Sequence, residues 1–391
     1  MRSRWGILAV LFVVRATMAF QFQSVAAVAP LLVREFNVGL ADIGVLIGLY
    51  FAPGAVLALP GGVIGRRFGD KTTVLFGLAL MLGGGLLMGL SVSWSGQIAG
   101  RLVAGTGGVL LNVLMTKMVT DWFAGREIST AMAIFVNSWP AGLAVSLLAL
   151  PPIGAAYGVS AVYLAVAALI AVGTVMLVTL YDAPAAAVAS AHARITLDRK
   201  TTAAAITAGM IWCLYNVGFA MIFSFGPALL VERGWSITVA GSTTSIVLWL
   251  AAFSVPLGGF LADRSARHDL VLVAGCITFA IVMAFASRTV NVVPAFALLG
   301  MVCGLAAGPI PSVPSRVLEP ETRAVGMGLF YTVYYIGMMI GAALGGRYAA
   351  WAGTAEAAFD FGAAMLLACP IILWVFGRIA ESRPLPARLA S

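Results

Sequence analysis

Charge and catalytic side chains are what this sequence has least of. Only 10% of its 391 residues are charged, against roughly 25% in a soluble domain, and it holds two histidines and four cysteines. Cys213, Cys276, Cys303 and Cys369 stand apart with no C-x-x-C spacing, so neither a disulfide framework nor a metal site is indicated and no cofactor is expected. No Walker pattern occurs, which removes ATP-driven work. With no triad and no paired carboxylates, an enzyme reading has nothing to rest on.

What is abundant is apolar: 61% of residues are hydrophobic and the mean hydropathy is +1.03. Apolar runs near the roughly 20 residues of a spanning helix can be drawn twelve times, over about 5–29, 40–64, 73–93, 97–119, 128–150, 157–180, 202–229, 237–261, 269–287, 292–314, 324–347 and 357–378. The fold class expected is an all-α polytopic membrane protein of two six-helix halves. If the N-terminus is cytoplasmic, seventeen Lys and Arg fall on that side and four, Arg34, Arg233, Arg288 and Arg347, on the other. That bias places both termini in the cytoplasm. It also accounts for the net charge of +8 without nucleic acid.

The N-terminus imitates a secretory signal, but Arg15 interrupts the apolar run and Pro30 would follow the cut directly, so a retained first helix is expected. The segment after Asp182, APAAAVASAHARITLDRK, has no apolar period and reads as a flexible linker. The expected domains are an N-terminal bundle, 1–181, a cytoplasmic linker, 182–200, and a C-terminal bundle, 201–391.

The two halves repeat. Residues 62–72 read GVIGRRFGDKT and residues 259–269 read GFLADRSARHD, with Gly62 plus 197 equal to Gly259. The same step carries Pro30 onto Pro227 and Arg126 onto Arg323. A period near 200 residues suits duplicated half-proteins, not a solenoid.

The second copy, with Gly259, Asp263, Arg264 and Arg267, resembles the G-x-L-A-D-R-x-G-R-K signature of the major facilitator superfamily. Arg101, Gly105 and Gly107 resemble its R-x-x-x-G-x-G fourth-helix motif. The resemblance covers essentially the whole chain and implies twelve spans and alternating access. It implies a cytoplasmic gate in which Asp263, Arg264 and Arg267 hold the halves together, with Arg126 and Arg323 nearby. The first copy, with Gly62 and Gly69, departs from the pattern: Arg66 stands where Asp is expected, and the acid appears at Asp70. Arg66 and Arg67 then pair with Glu127 or Asp121, or mark the cytoplasmic side.

Arg15 lies about ten residues into the first helix. At that depth an Arg costs at least about 2.5 to 3.5 kcal/mol, so a water-filled cavity or a buried partner must offset it. Its stripe, Arg15, Met18, Ala19 and Phe22, maps by 197 onto Trp212, Tyr215, Asn216 and Phe219. Both stripes have i, i+3, i+4, i+7 spacing. The stripes are expected to face a central cavity as a binding surface, although helix packing suffices for any one aromatic. Gln23, Asn112, Tyr331, Tyr334 and Tyr335 are further candidates; Asn137, Trp139 and Trp249 rank below them. Arg101 belongs to shared mechanics before substrate contact.

All fifteen acids fall in loops or near expected helix ends. A mid-membrane Arg with no matching acid suggests that the cargo supplies the negative charge. The expected function is secondary transport of a small inorganic or organic anion, by antiport or proton-linked symport. In this the chain is similar to the nitrate, cyanate and oxalate branches of the superfamily. The alternative is proton-coupled efflux of drugs or metabolites, weakened because FVNSWPAGLA keeps Pro140 but lacks most glycines of the exporter motif. A non-transporting receptor ranks lower. We expect a monomer in a bacterial cytoplasmic membrane whose partners are lipid, a small anion and a coupling proton.

Overall fold

The structure, a computed structural model, describes residues 3–58, 60, 64, 68–123, 128–182, 197–265, 267–318 and 323–381. All regular elements among them are helical. That is the form an open chain must take in lipid, where each backbone N–H and C=O needs a partner within its own segment.

The first half runs α1 (Arg4–Ala27), α2 (Ala29–Phe36), α3 (Leu40–Leu49), the single turn α4 (Gly54–Leu57), α5 (Asp70–Leu90), α6 (Trp94–Phe123) and α7 (Ile128–Leu180). The second runs α8 (Arg199–Glu232), α9 (Ile237–Ser265), α10 (His268–Ala286), α11 (Val292–Ala307), a 3-10 turn (Ile310–Arg316), α12 (Arg323–Ala352) and α13 (Glu356–Glu381). Helix α7 has 53 residues, about 80 Å of rise for a hydrocarbon core of about 30 Å. It reverses at Gly158, whose φ of +83° suits a residue without Cβ. Counted as two spans, it brings the eleven long apolar helices of the described residues to twelve.

Within a half the helices approach closely where glycines face each other. A Cβ on Gly77 would press on the Gly107 carbonyl, and one on Gly84 would meet Ala104, so α5 and α6 pack backbone to backbone. The halves meet where small residues again face one another. Gly44 lies against Ala342 and Gly346, Gly48 against the Met339 carbonyl, and Gly241 against Leu147 and Pro151. These crossings of α3 with α12 and of α7 with α9 lie toward the end that carries Arg34, Arg233, Arg288 and Arg347.

Ion pairs occupy the helix ends. Asp70, at the start of α5, meets Lys117 near the end of α6 at 2.5 Å, and Lys117 also reaches Asp121 at 3.0 Å. In the second half Asp269, at the start of α10, meets Arg316 at 2.7 Å. Acid and base are 47 residues apart in both pairs (117 minus 70, 316 minus 269). The tie therefore recurs, two residues out of step with the 197-residue offset of the loops. At the opposite end Arg288 forks onto Asp360 at 2.8 Å through both terminal nitrogens and reaches Glu356 at 3.3 Å. The Asp360 hydrogen bonds raise the Arg288 guanidinium above its ordinary pKa. Glu232 caps α13 by accepting from the Ala355 N–H at 2.9 Å.

Candidate functional site

Among the described residues two arginines stand inside the helix bundle, and their surroundings differ in one decisive respect. Arg101 on α6 has no exposed surface. Its Nε donates to the Leu46 carbonyl at 3.0 Å, Nη1 to that of Gln21 at 2.8 Å and Nη2 to that of Phe22 at 2.8 Å. Leu46 is the fourth residue from the end of α3, where carbonyls lack an intrahelical donor. The guanidinium lies 4.6 Å from the Tyr50 ring centroid. Every nitrogen of Arg101 is engaged, and it ties α1, α3 and α6 together.

Arg15 on α1 is half-buried. Its Nε donates to Asn112 Oδ1 at 3.2 Å, and Nη1 reaches the Phe135 and Val136 carbonyls at 3.0 Å and Ser138 Oγ at 3.2 Å. The guanidinium sits 4.7 Å from the Phe135 ring centroid. Nη2 takes part in none of these bonds, so two of its five N–H donors remain open. Among the described residues neither arginine meets a carboxylate.

The Val136 carbonyl is available to Arg15 because of Pro140. Four residues on, proline has no N–H to return the helical bond, and a guanidinium fills the vacancy. This was legible in FVNSWPAGLA, where Pro140 served only as a fragment of an exporter motif. Ser138 is one site residue that sequence reasoning missed.

Asn112 continues the network across the molecule, donating from Nδ2 to the Tyr335 hydroxyl of α12 at 3.0 Å. Gln23 makes a second crossing, donating to the Phe223 carbonyl of α8 at 2.7 Å. Around them runs an arc of rings with centroid separations of 5.4 Å for Trp139–Phe22, 5.0 Å for Phe22–Phe51, 6.1 Å for Phe51–Tyr334 and 6.4 Å for Tyr334–Trp212. Tyr331 stands on Tyr334 at 6.4 Å, exposed. Phe51, absent from the sequence-derived candidates, closes the arc. Its signal was only its place beside the Pro53 break that ends α3.

Several candidates point elsewhere. Tyr215 is buried and donates to the Cys303 carbonyl of α11 at 2.8 Å, so its hydroxyl belongs to the interior of the second half. Phe219 packs against Phe223 and Phe279. Asn216 donates to the Trp212 carbonyl of its own helix at 2.7 Å. Met18, Ala19 and Phe22 are buried, with Ala19 against Gly142 of α7. The stripe through Arg15 is thus a packed face from which Arg15 itself emerges. An apolar groove of about 360 Å³ lies apart from it, between α8, α12 and α13, around Cys213, Gly337 and Met365. Its lining has no donor suited to a charged ligand.

Of the gate residues, Gly62, Arg66, Arg67 and Arg126 lie outside the described residues, as do the side chains of Asp263 and Arg323. Asp121, one partner considered for Arg66 and Arg67, is engaged by Lys117. Gly69 has φ +85° and Gly105 touches the Tyr50 carbonyl. Gly259 faces Gly308. Arg264 lies 6.0 Å from the Phe260 ring centroid, and Arg267 is exposed. Lys71 donates to the Tyr181 carbonyl at 2.7 Å and Trp122 to that of Asp182 at 3.1 Å, fastening the end of α7.

Comparison with known proteins agrees with this architecture. The chain is 22% identical to the inner membrane transport protein YajR of Escherichia coli, over 88% of this chain and 77% of that one. It is 24% identical to the lysosomal dipeptide transporter MFSD1 of Danio rerio, over 82% and 75%. It is 22% identical to the hexuronate transporter of Bacillus subtilis, over 70% of each. Among solved structures, the D-xylose-proton symporter superposes with a TM-score of 0.78 at 13% identity, over 97% of this chain and 99% of that one. A bacterial homolog of the lysosomal transporter Spinster, in its inward-facing and unoccupied conformation, gives 0.75 at 15% identity, over 98% and 99%. The family model of the Major Facilitator Superfamily matches residues 11–215 and 207–390, so this integral membrane protein belongs to that superfamily of transporters.

Proposed function

We propose that this chain is a secondary transporter that carries a small anion by alternating access, with Arg15 as the charged contact. The supporting observation is the contrast between Arg101, fully buried, and Arg15, half-buried. Arg101 spends all three nitrogens on main-chain carbonyls, whereas Arg15 is fixed through Nε and Nη1 and leaves Nη2 open. A guanidinium held by neutral dipoles keeps its full charge available, and a carboxylate or nitrate oxygen is its natural acceptor. The name of the Bacillus subtilis relative denotes a carboxylate cargo, which agrees with this reading.

Asp70, Asp121, Asp269, Glu356 and Asp360 are engaged at helix ends by Lys117, Arg316 or Arg288, and Glu232 by a cap, and none of these carboxylates meets Arg15. Exchange of anions, or symport in which a proton travels with the substrate, then needs no titrating acid beside the site. Trp212, Tyr331, Tyr334, Tyr335 and Asn112 supply the rest of the binding surface. Asp263, Arg264 and Arg267 act at the gate, opposite the end where α3 crosses α12. The lysine and arginine bias supports a cytoplasmic placement of that gate, the 182–200 linker and both termini.

Purified protein in liposomes preloaded with nitrate, formate or benzoate provides the test. Accelerated exchange of an external labelled anion supports the reading; export of lipophilic cations without anion exchange contradicts it.

A further inference from the structure

The anion reading leaves the size and valence of the cargo open, and the same site constrains both. Among the described residues Arg15 is one of two guanidiniums inside the bundle, and Arg101 is fully buried with every nitrogen engaged. One open cationic edge can neutralise one negative charge. A second charge brought into the site would meet no described cation, and an unpaired buried charge is costly.

The rest of the surface is aromatic to a degree that a small inorganic ion does not need. From Trp139 through Phe22, Phe51, Tyr335 and Tyr334 to Trp212, neighbouring rings stand 5.0 to 6.4 Å apart and draw on four helices and the turn after α3, with the buried Phe22, Phe51 and Tyr335 backing the half-buried Trp139, Tyr334 and Trp212. The hydroxyl of Tyr335 accepts from Asn112 and keeps its own proton to donate. Tyr334 and Trp212 are half-buried, so both rings keep surface uncovered by the protein. Such a wall gains by covering a flat apolar body, through area and ring geometry, and gives nitrate or formate little beyond the Arg15 contact.

We propose that the cargo is a monovalent carboxylate on a planar, unsaturated or aromatic body, with the carboxylate on Arg15 Nη2 and the body against Tyr334 and Trp212. This rests on the anion reading above. It excludes dicarboxylates by charge and bare inorganic anions by lack of area.

The experiment is equilibrium binding to the purified full-length protein, with benzoate, phthalate, benzamide, formate, nitrate and tetraphenylphosphonium as probes. Benzoate is expected to bind at least about tenfold tighter than the dianion phthalate, the neutral benzamide, formate or nitrate. Trp212→Leu and, as a second variant, Tyr334→Leu separate body from charge. Each should weaken benzoate by about tenfold while leaving formate within twofold. If nitrate or formate binds as well as benzoate and Trp212→Leu weakens neither selectively, this inference is overturned and the anion reading stands. If only tetraphenylphosphonium binds, both fall.

Discussion

Asn112 of the first half donates to the Tyr335 hydroxyl of the second at 3.0 Å, while its own carbonyl oxygen accepts from Arg15. One amide thus joins the charged contact to the seam between the halves. A ligand that draws on Arg15 Nη2 acts on a residue whose neighbour holds that seam, which is the differential contact a conformational switch requires.

Removing the seam bond should alter the balance between states more than it alters folding. Tyr335→Phe keeps the ring against Phe51 and Tyr334 but deletes the acceptor for Asn112. A neutral hydrogen bond contributes about 1 kcal/mol net, so the population in which the halves separate here should rise about fivefold. Distances between spin labels on α6 and α12, with and without ligand, measure it.

Pro140→Ala probes how Arg15 is held. Alanine restores the N–H that the Val136 carbonyl lacks, and the helix then competes with Arg15 Nη1 for that acceptor. Anion affinity should fall by about 2- to 10-fold, the scale of one hydrogen bond. Thermal stability should hold or rise, since alanine is the better helix former. Unchanged affinity would mean that the Phe135 carbonyl and Ser138 suffice.

Gly48→Ala tests the crossing of α3 and α12. The added Cβ collides with the Met339 carbonyl, which is backbone and cannot swing aside. Overpacking of this kind costs about 1 to 3 kcal/mol, and it falls on the state in which these helices touch. Exchange should slow and the label distance across that end should lengthen. Gly83→Ala, where a Cβ meets nothing within 4 Å, is the matched control and should transport normally.

The recurring ion pairs should be energetically unequal. The Asp70–Lys117 side chains are 18% and 37% exposed, and those of Asp269–Arg316 are 58% and 34%. Screening by water makes the second pair worth less, within the range of about 0 to 1 kcal/mol for exposed pairs. Double-mutant cycles on thermal unfolding, with Asp70→Asn and Lys117→Met set against Asp269→Asn and Arg316→Met, should give the larger coupling in the first half.

Much of this was legible in the sequence because the membrane leaves few choices. Apolar runs of spanning length must be helices, and the doubled loop divided them into equivalent halves. Arg15 stood out because its depth demanded an explanation. Direction within a helix was harder to read. The 197-residue offset put Tyr215 on the face of Arg15, yet its hydroxyl turns to the Cys303 carbonyl, because a polar tip in apolar surroundings goes to whichever main-chain acceptor a neighbouring helix offers. Partners formed by backbone were invisible for a related reason: Val136, Phe135 and Leu46 act through carbonyls every residue possesses. Only Pro140 and the end of α3 marked where a carbonyl had been left free.

Counterflow in proteoliposomes comparing wild type with Arg15→Gln and Arg15→Lys bears most directly on Arg15 as the anion's contact. A hydrogen bond to a charged group contributes about 1.5 to 3 kcal/mol, so Gln should lower apparent affinity roughly 10- to 150-fold. Lys, with its charge but no fork, should recover part of the loss. Both proteins should insert and retain the Arg101 clamp, checked by thermal unfolding. Anion exchange at the wild-type affinity in a folded Arg15→Gln protein would contradict the assignment.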